Sequence, residues 1–207
     1  MPCLPLALVI ALLCASNVSV GQANVIDMRL LEVDEEGERT YHNVVLSHTF
    51  KEGRFSMEAF CLNLPQLDYD EVGAGVGYRI ATVRDIKLSL IAYLSAADDD
   101  GYLEPALLAV KTTGRVTGSC LLLHYFPLGT DGVHQWLVDP LEIQVVVRGP
   151  LSLGVSSYFY RPAGGSWLRK IGPKLSIADR LGATELAVRD VNQGGGAEFQ
   201  LRRIFVF

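Results

Sequence analysis

Apolar and polar residues alternate one by one through much of this chain. Ile26, Met28 and Leu30 are interleaved with Asp27 and Arg29. Leu141, Ile143, Val145 and Val147 are interleaved with Glu142, Gln144 and Arg148. The same beat runs through 41–50 (YHNVVLSHTF), 54–62 (RFSMEAFCL) and 86–94 (IKLSLIAYL). Successive side chains of a strand point to opposite faces, so this pattern makes two-faced strands, one face buried and the other wet. Segments 106–111 and 116–126 flank Thr112-Thr113-Gly114-Arg115, a short turn signal, and read as a hairpin. No stretch before residue 150 keeps the 3.6-residue period of an amphipathic helix. The pattern predicts an all-β fold, an antiparallel β-sandwich of about seven strands.

Residues 4–20 (LPLALVIALLCASNVSV) are apolar and uncharged and end in small and polar residues. They read as a secretory signal peptide over 1–23, with the mature chain starting between Gln22 and Asn24. The sandwich is then expected over 24–149. Beyond Gly149-Pro150 the composition shifts, with Pro162, Gly164, Gly165, Gly172, Pro173 and Gly194-Gly195-Gly196 breaking the chain. Residues 150–207 read as an irregular, partly disordered, linker-like tail, with 176–192 a candidate helix and 197–207 a short strand or loose end. The uncharged run 149–160 is too short for a membrane helix, which needs ~20 residues. No direct membrane span is expected after signal cleavage.

Hydrophobic residues make up 49% of the chain and charged ones 20%, which suits a folded domain rather than a disordered one. The formal net charge of −5 argues against nucleic acid or an anionic membrane surface as partner. Two cysteines remain after cleavage, Cys61 and Cys120. In an oxidising compartment they form a candidate disulfide worth roughly 4 kcal/mol in the chain-entropy model. Two buried free thiols are the alternative.

No motif carries a reaction. Asp98-Asp99-Asp100-Gly101 lacks the alternate ligand spacing of a calcium loop and reads as a solvated turn. The acidic run from Glu32 to Glu38 reads as a polar loop between strands. Gly73-Ala74-Gly75-Val76-Gly77 lacks the surrounding strand-helix-strand unit of a dinucleotide loop and reads as a flexible turn. His42, His48, His124 and His134 show no metal-site spacing. Ser119, His124 and Asp139 are the residues a hydrolase reading would use, but Leu121 breaks the nucleophile-elbow pattern. Trp136 and Trp167 flank loops and are candidate partner contacts. No catalytic residue, cofactor or metal is predicted.

The order of several short segments resembles the family of subunit 10 of the endoplasmic reticulum membrane protein complex. The segments are Val45-Leu46-Ser47-His48-Thr49-Phe50 with Phe55, Gly77-Tyr78-Arg79-Ile80, Gly114-Arg115-Val116-Thr117-Gly118, Asp139-Pro140-Leu141-Glu142-Ile143-Gln144-Val145 and Ser166-Trp167-Leu168-Arg169-Lys170. The likeness spans residues 28–170. The family's membrane helix has no counterpart after Lys170, and Cys61 and Cys120 do not fall at the family's lumenal cysteines. The resemblance implies a non-catalytic lumenal accessory subunit that supports membrane insertion of transmembrane helices. It also implies other lumenal subunits as partners and residence in the endoplasmic reticulum lumen or on the lumenal face of its membrane. The alternative expectation is a secreted β-sandwich binding module or signalling ligand.

Overall fold

A computed structural model describes residues 23–33, 41–49, 54–64, 69–97, 100–129, 134–161, 164–189 and 197–207. The candidate signal peptide up to residue 22 lies outside these residues, as do Asp98, Asp99 and the stretch 34–40. Twelve strands follow one another: β1 (Ala23–Val33), β2 (Tyr41–Thr49), β3 (Phe55–Leu64), β4 (Tyr69–Val83), β5 (Ile86–Ala97), β6 (Asp100–Thr113), β7 (Val116–Pro127), β8 (Gln135–Arg148), β9 (Leu151–Arg161), β10 (Leu168–Asp179), β11 (Gly182–Arg189) and β12 (Glu198–Val206). Each pairs antiparallel with its neighbours in sequence, and β1 pairs with β12. The sheet is therefore a closed barrel with no free edge.

Which face is wet decides the architecture, and here large apolar residues stand exposed on the outer wall while charges are buried on the inner one. Val76 and Leu94 on the outer wall are 59% and 61% exposed, whereas Glu71, Glu104 and Glu198 on the inner wall are 1% exposed. Along β5 the inward residues Ile91, Tyr93, Ser95 and Ala97 are buried and the outward ones between them are exposed. Burying a Leu or Val is worth ~1.5–3 kcal/mol, so a wall studded with such residues is unstable against water and stable against lipid. The expected seven-stranded sandwich is thus replaced by a closed twelve-stranded barrel. Period-two alternation marks a two-faced strand in both folds and does not say which face meets water.

The segment read as a tail supplies four strands. β9 to β12 span Leu151 to Val206, and β12 closes the barrel on β1 from Val25↔Val206 to Val33↔Glu198. Neither the linker nor the helix expected at 176–192 is present among its described residues. The Gly73–Gly77 segment is also not a turn. It lies inside β4, paired with Ser95, Tyr93 and Ile91 of β5.

Two rims differ sharply. At one, strands turn through 84–85, 114–115, 149–150 and 180–181, with one longer connection, 50–54. Arg84 and Asp85 both have positive φ (48° and 67°), the backbone that a two-residue hairpin matching the right-handed strand twist requires. Gly114 and Gly149 supply positive φ where the next two hairpins turn. At the other rim four connections are longer, 34–40, 128–134, 162–167 and 190–197, beside the shorter 65–68 and 98–99. Among the described residues no helix is long and apolar enough to cross a membrane.

The expected Cys61–Cys120 disulfide does not form. Cys61 is on β3 and Cys120 on β7, four strands further round the wall. Neighbouring strands lie ~4.8 Å apart, and bridged Cα atoms must lie within ~7 Å. Cys120 is a free, exposed thiol.

Candidate functional site

The interior wall holds the chemistry, and it divides into two arcs. The first runs over β8 to β12 and on to β1. Its inward positions are set by register: Ser176 faces Glu185, Glu185 faces Arg202, and Arg202 faces Arg29. Two guanidiniums side by side repel, and Asp27 relieves them. Its carboxylate accepts from Arg202 at 2.7 and 2.8 Å and from Arg29 at 3.0 Å.

From there the pairing continues around the wall. Arg202 reaches Glu185 at 3.1 Å, and Lys174 lies 3.6 Å from Glu185 and 2.6 Å from Glu142. Ser156 donates to Glu142 and accepts from Arg189 Nη2 at 2.6 Å. Arg189 also donates to Glu198 at 2.6 Å and to Gln200 at 2.8 Å, and Lys170 pairs with Glu198 at 2.5 Å. Ten side chains thereby form one unbroken polar chain from Arg29 to Lys170, not counting Gln200. Charge-assisted bonds of this kind run about twice the strength of neutral ones, and each buried charge here has a partner.

A bulge aims Glu142 into this network. Val138 pairs with Phe159 and Ile143 with Val155, so β8 spends one residue more than β9 over that interval. Ser157 fills the gap, accepting from Leu141 N at 3.0 Å and donating to Leu141 O at 3.1 Å.

The second arc covers β3 to β7. Ile91, Tyr93, Ala106 and Leu123 form its buried apolar cluster, flanked by Phe60 and Tyr125. Gly73 and Gly75 are needed on β4 because Phe60 and Tyr93 lay their rings over them, and a Cβ there would strike ring carbons. Tyr93 donates to Glu58 at 2.5 Å, and its ring meets Phe60 edge-on at 5.5 Å. Nearer the long-connection rim, Ser95 hydrogen-bonds Glu71 at 2.8 Å and also Glu104. Tyr69 donates to Glu71 at 3.1 Å. A hydroxyl has one proton to give, so Ser95 cannot donate to both carboxylates at once.

The residues singled out from sequence scatter over the barrel. Glu142 is central to the polar chain. Ser119 is its register partner on the inner wall, whereas His124 points outward, so Ser119 and His124 do not assemble a hydrolase site. His124 packs in an outer-wall cluster with Phe126 and Trp136, ring centroids at 4.0 and 3.9 Å, and its Nε2 lies 3.1 Å from His134 Nδ1. Among the described residues no group of three or more His, Cys, Asp or Glu could hold a metal ion. Trp136 is the register partner of Arg161, and Arg161 lines an outer cavity of about 360 Å³ with Trp167. Sequence reading missed Lys170, Lys174, Arg189 and Glu198, all of which lie in the supposed tail. The signal was there: Glu198-Phe199-Gln200-Leu201-Arg202 alternates like any of the earlier strands.

No protein-family model matches the chain, and no curated protein matches it. Solved structures do share its fold. One, a KdgM porin, superposes with a TM-score of 0.67 at 14% identity, over 88% of this chain and 99% of that one. Another, an outer membrane channel from Pseudomonas putida F1, gives a TM-score of 0.58 at 12% identity, over 92% and 97%. This likeness overturns the resemblance to the endoplasmic reticulum complex subunit. With it fall the insertion role, the lumenal partners, and residence in the endoplasmic reticulum. The secreted sandwich module fails on the same ground, because no sandwich exists. Those segment matches were made of common strand residues, which a barrel and a sandwich share.

Proposed function

We propose that this chain is an outer-membrane β-barrel that passes small hydrophilic solutes or ions through its interior, and is a channel rather than an enzyme. One observation carries the reading: in a closed twelve-stranded barrel large apolar side chains such as Val76 and Leu94 stand exposed on the outer wall, while the buried charges, among them Glu71, Glu104, Lys170, Arg189 and Glu198, stand on the inner one. That is the arrangement a lipid-spanning barrel requires, since every backbone donor is paired and the outer band meets hydrocarbon. Strand lengths agree. β4, β6 and β8 have 15, 14 and 14 residues, and a tilted transmembrane strand needs ~9–11. The two structural neighbours, a porin and an outer membrane channel, support the same reading.

The rim contrast supports an orientation. Outer-membrane barrels have short periplasmic turns and longer extracellular loops, which assigns the rim of 84–85 and 114–115 to the periplasm. The apolar leader ahead of β1 serves as the signal that brings the chain there. Inner-wall side chains such as Glu71, Glu104, Glu198 and Ser156 are almost fully covered by their neighbours, which restricts the proposed path to small solutes.

The test is expression of the full chain in a Gram-negative host, recovery from outer membranes, and recording in planar bilayers. A heat-modifiable band on gels and small, discrete conductance steps are expected. A chain that stays soluble without detergent, or one that inserts and gives no conductance, would sink the channel reading.

A further inference from the structure

Two arginines stand on the outer wall with no acidic partner among the described residues. Arg161 ends β9 and Arg169 is the second residue of β10, so both sit at the long-connection rim. Their direction follows from their neighbours. Leu137 packs on the interior cluster, which turns Trp136 outward, and Arg161 is the register partner of Trp136. Lys170 is buried inside, which turns Arg169 outward beside its register partner Phe159. Neither arginine is within salt-bridge distance of an acidic group among the described residues. Arg161 spends one donor, Nε, on the Gly165 carbonyl at 3.3 Å, which fixes the guanidinium and leaves its Nη groups unspent.

Arg161 and Arg169 line one outward cavity of about 360 Å³, together with Gly165, Ser166 and Trp167. An unpaired charge facing hydrocarbon is costly, whereas one at the head-group level is not. Guanidinium matches phosphate oxygens with paired N–H donors, and Trp is at home at that same depth. We propose that this cavity holds the phosphorylated head group of an outer-leaflet lipid, gripped by Arg161 and Arg169 and bordered by Trp167. The inference rests on the membrane orientation proposed above. It also gives Trp167 a role as the aromatic border of a lipid site rather than a protein interface.

Native mass spectrometry of the full chain released from detergent tests it, with three probes: lipid A, the same lipid with its phosphates removed, and inorganic phosphate. Wild type should retain lipid A about tenfold or more tightly than the Arg161→Gln, Arg169→Gln double variant, since each bidentate contact is charge-assisted. Dephosphorylated lipid A should bind wild type only as weakly as lipid A binds the variant. Equal retention by wild type and variant overturns the site. Displacement of lipid A by inorganic phosphate at equal concentration overturns the lipid as its occupant. The variant's heat-modifiable band and conductance should match wild type, since neither arginine faces the interior. If wild type itself gives neither band nor conductance, it is the membrane reading that has failed, not the head-group site alone.

Discussion

The two arcs of the interior wall close the same barrel by opposite means. Over β8 to β12 and β1 the inward positions are filled with charge, and every charge is met by another. Over β3 to β7 they are filled with rings and aliphatic groups, which lie over glycines and carry their few carboxylates on hydroxyl donors. The first arc is specified by direction and distance, the second by volume. A network of charges fails when one member is deleted, because the remainder is stranded in a poor solvent. A packed cluster fails when something is added.

The largest effect should come from opening the charged arc. Arg189 bonds Glu198, Ser156 and Gln200 at once. Arg189→Met should cost about 3–5 kcal/mol, the usual penalty for leaving a buried charge unpaired, read as a lower urea midpoint of the folded barrel in detergent. A midpoint within error of wild type would show that the ladder does not hold the wall.

Next is overfilling the apolar arc. Gly75→Val puts a branched side chain where the Tyr93 ring lies and should cost about 1–3 kcal/mol by the same measurement. A flexible turn at Gly73–Gly77 would tolerate it freely, so an unchanged midpoint would restore the reading from sequence.

A smaller change comes from Tyr93→Phe, which removes the donor to Glu58 and should cost about 1–2 kcal/mol. Glu71→Gln with Glu104→Gln should leave stability nearly unchanged, because amides can share Ser95 without repelling each other. Instead the reversal potential in a salt gradient should move toward anions. No movement would show that ions do not pass this arc.

The mildest test contrasts the inner and outer faces. Cys120 alternates with inward Leu121 on the outer wall and should resist a charged maleimide in the native barrel but react with it once the barrel is unfolded in denaturant. Fast reaction of the native barrel with the charged reagent would place that face in water.

Most of the strands were legible in sequence and the fold was not. Segments 26–30, 41–50, 54–62, 86–94 and 141–148 all fall largely within strands, and Gly114-Arg115 does turn a hairpin. The alternation of Ile26, Met28 and Leu30 with Asp27 and Arg29 is correct. What it lacks is a sign, since the solvent on each side is a property of the closed sheet and not of one strand. Glycine and proline misled the reading of the last quarter. Gly172 and Pro173 sit mid-strand in β10, where Gly172 keeps a Cβ off the Val188 carbonyl and Pro173 pairs with Val155 on the outward side. The charged arc was hidden by the same error, because six of its cations and acids, Lys170, Lys174, Glu185, Arg189, Glu198 and Arg202, lie in β10 to β12. The outer cavity could not be read at all. Arg161 and Arg169 meet only because β9 and β10 run side by side.

The seam between β1 and β12 has a kinetic consequence. Every other pairing joins strands adjacent in sequence, so the wall can grow hairpin by hairpin at little entropic expense. The bond from Arg202 to Asp27 spans 175 residues. It can form only once the sheet has curled back on its beginning, so the seam should be the last contact made on assembly and the first to part when the barrel is pulled open. Until that moment the growing sheet carries two bare edges, which is the period in which it is most vulnerable to pairing with the wrong chain.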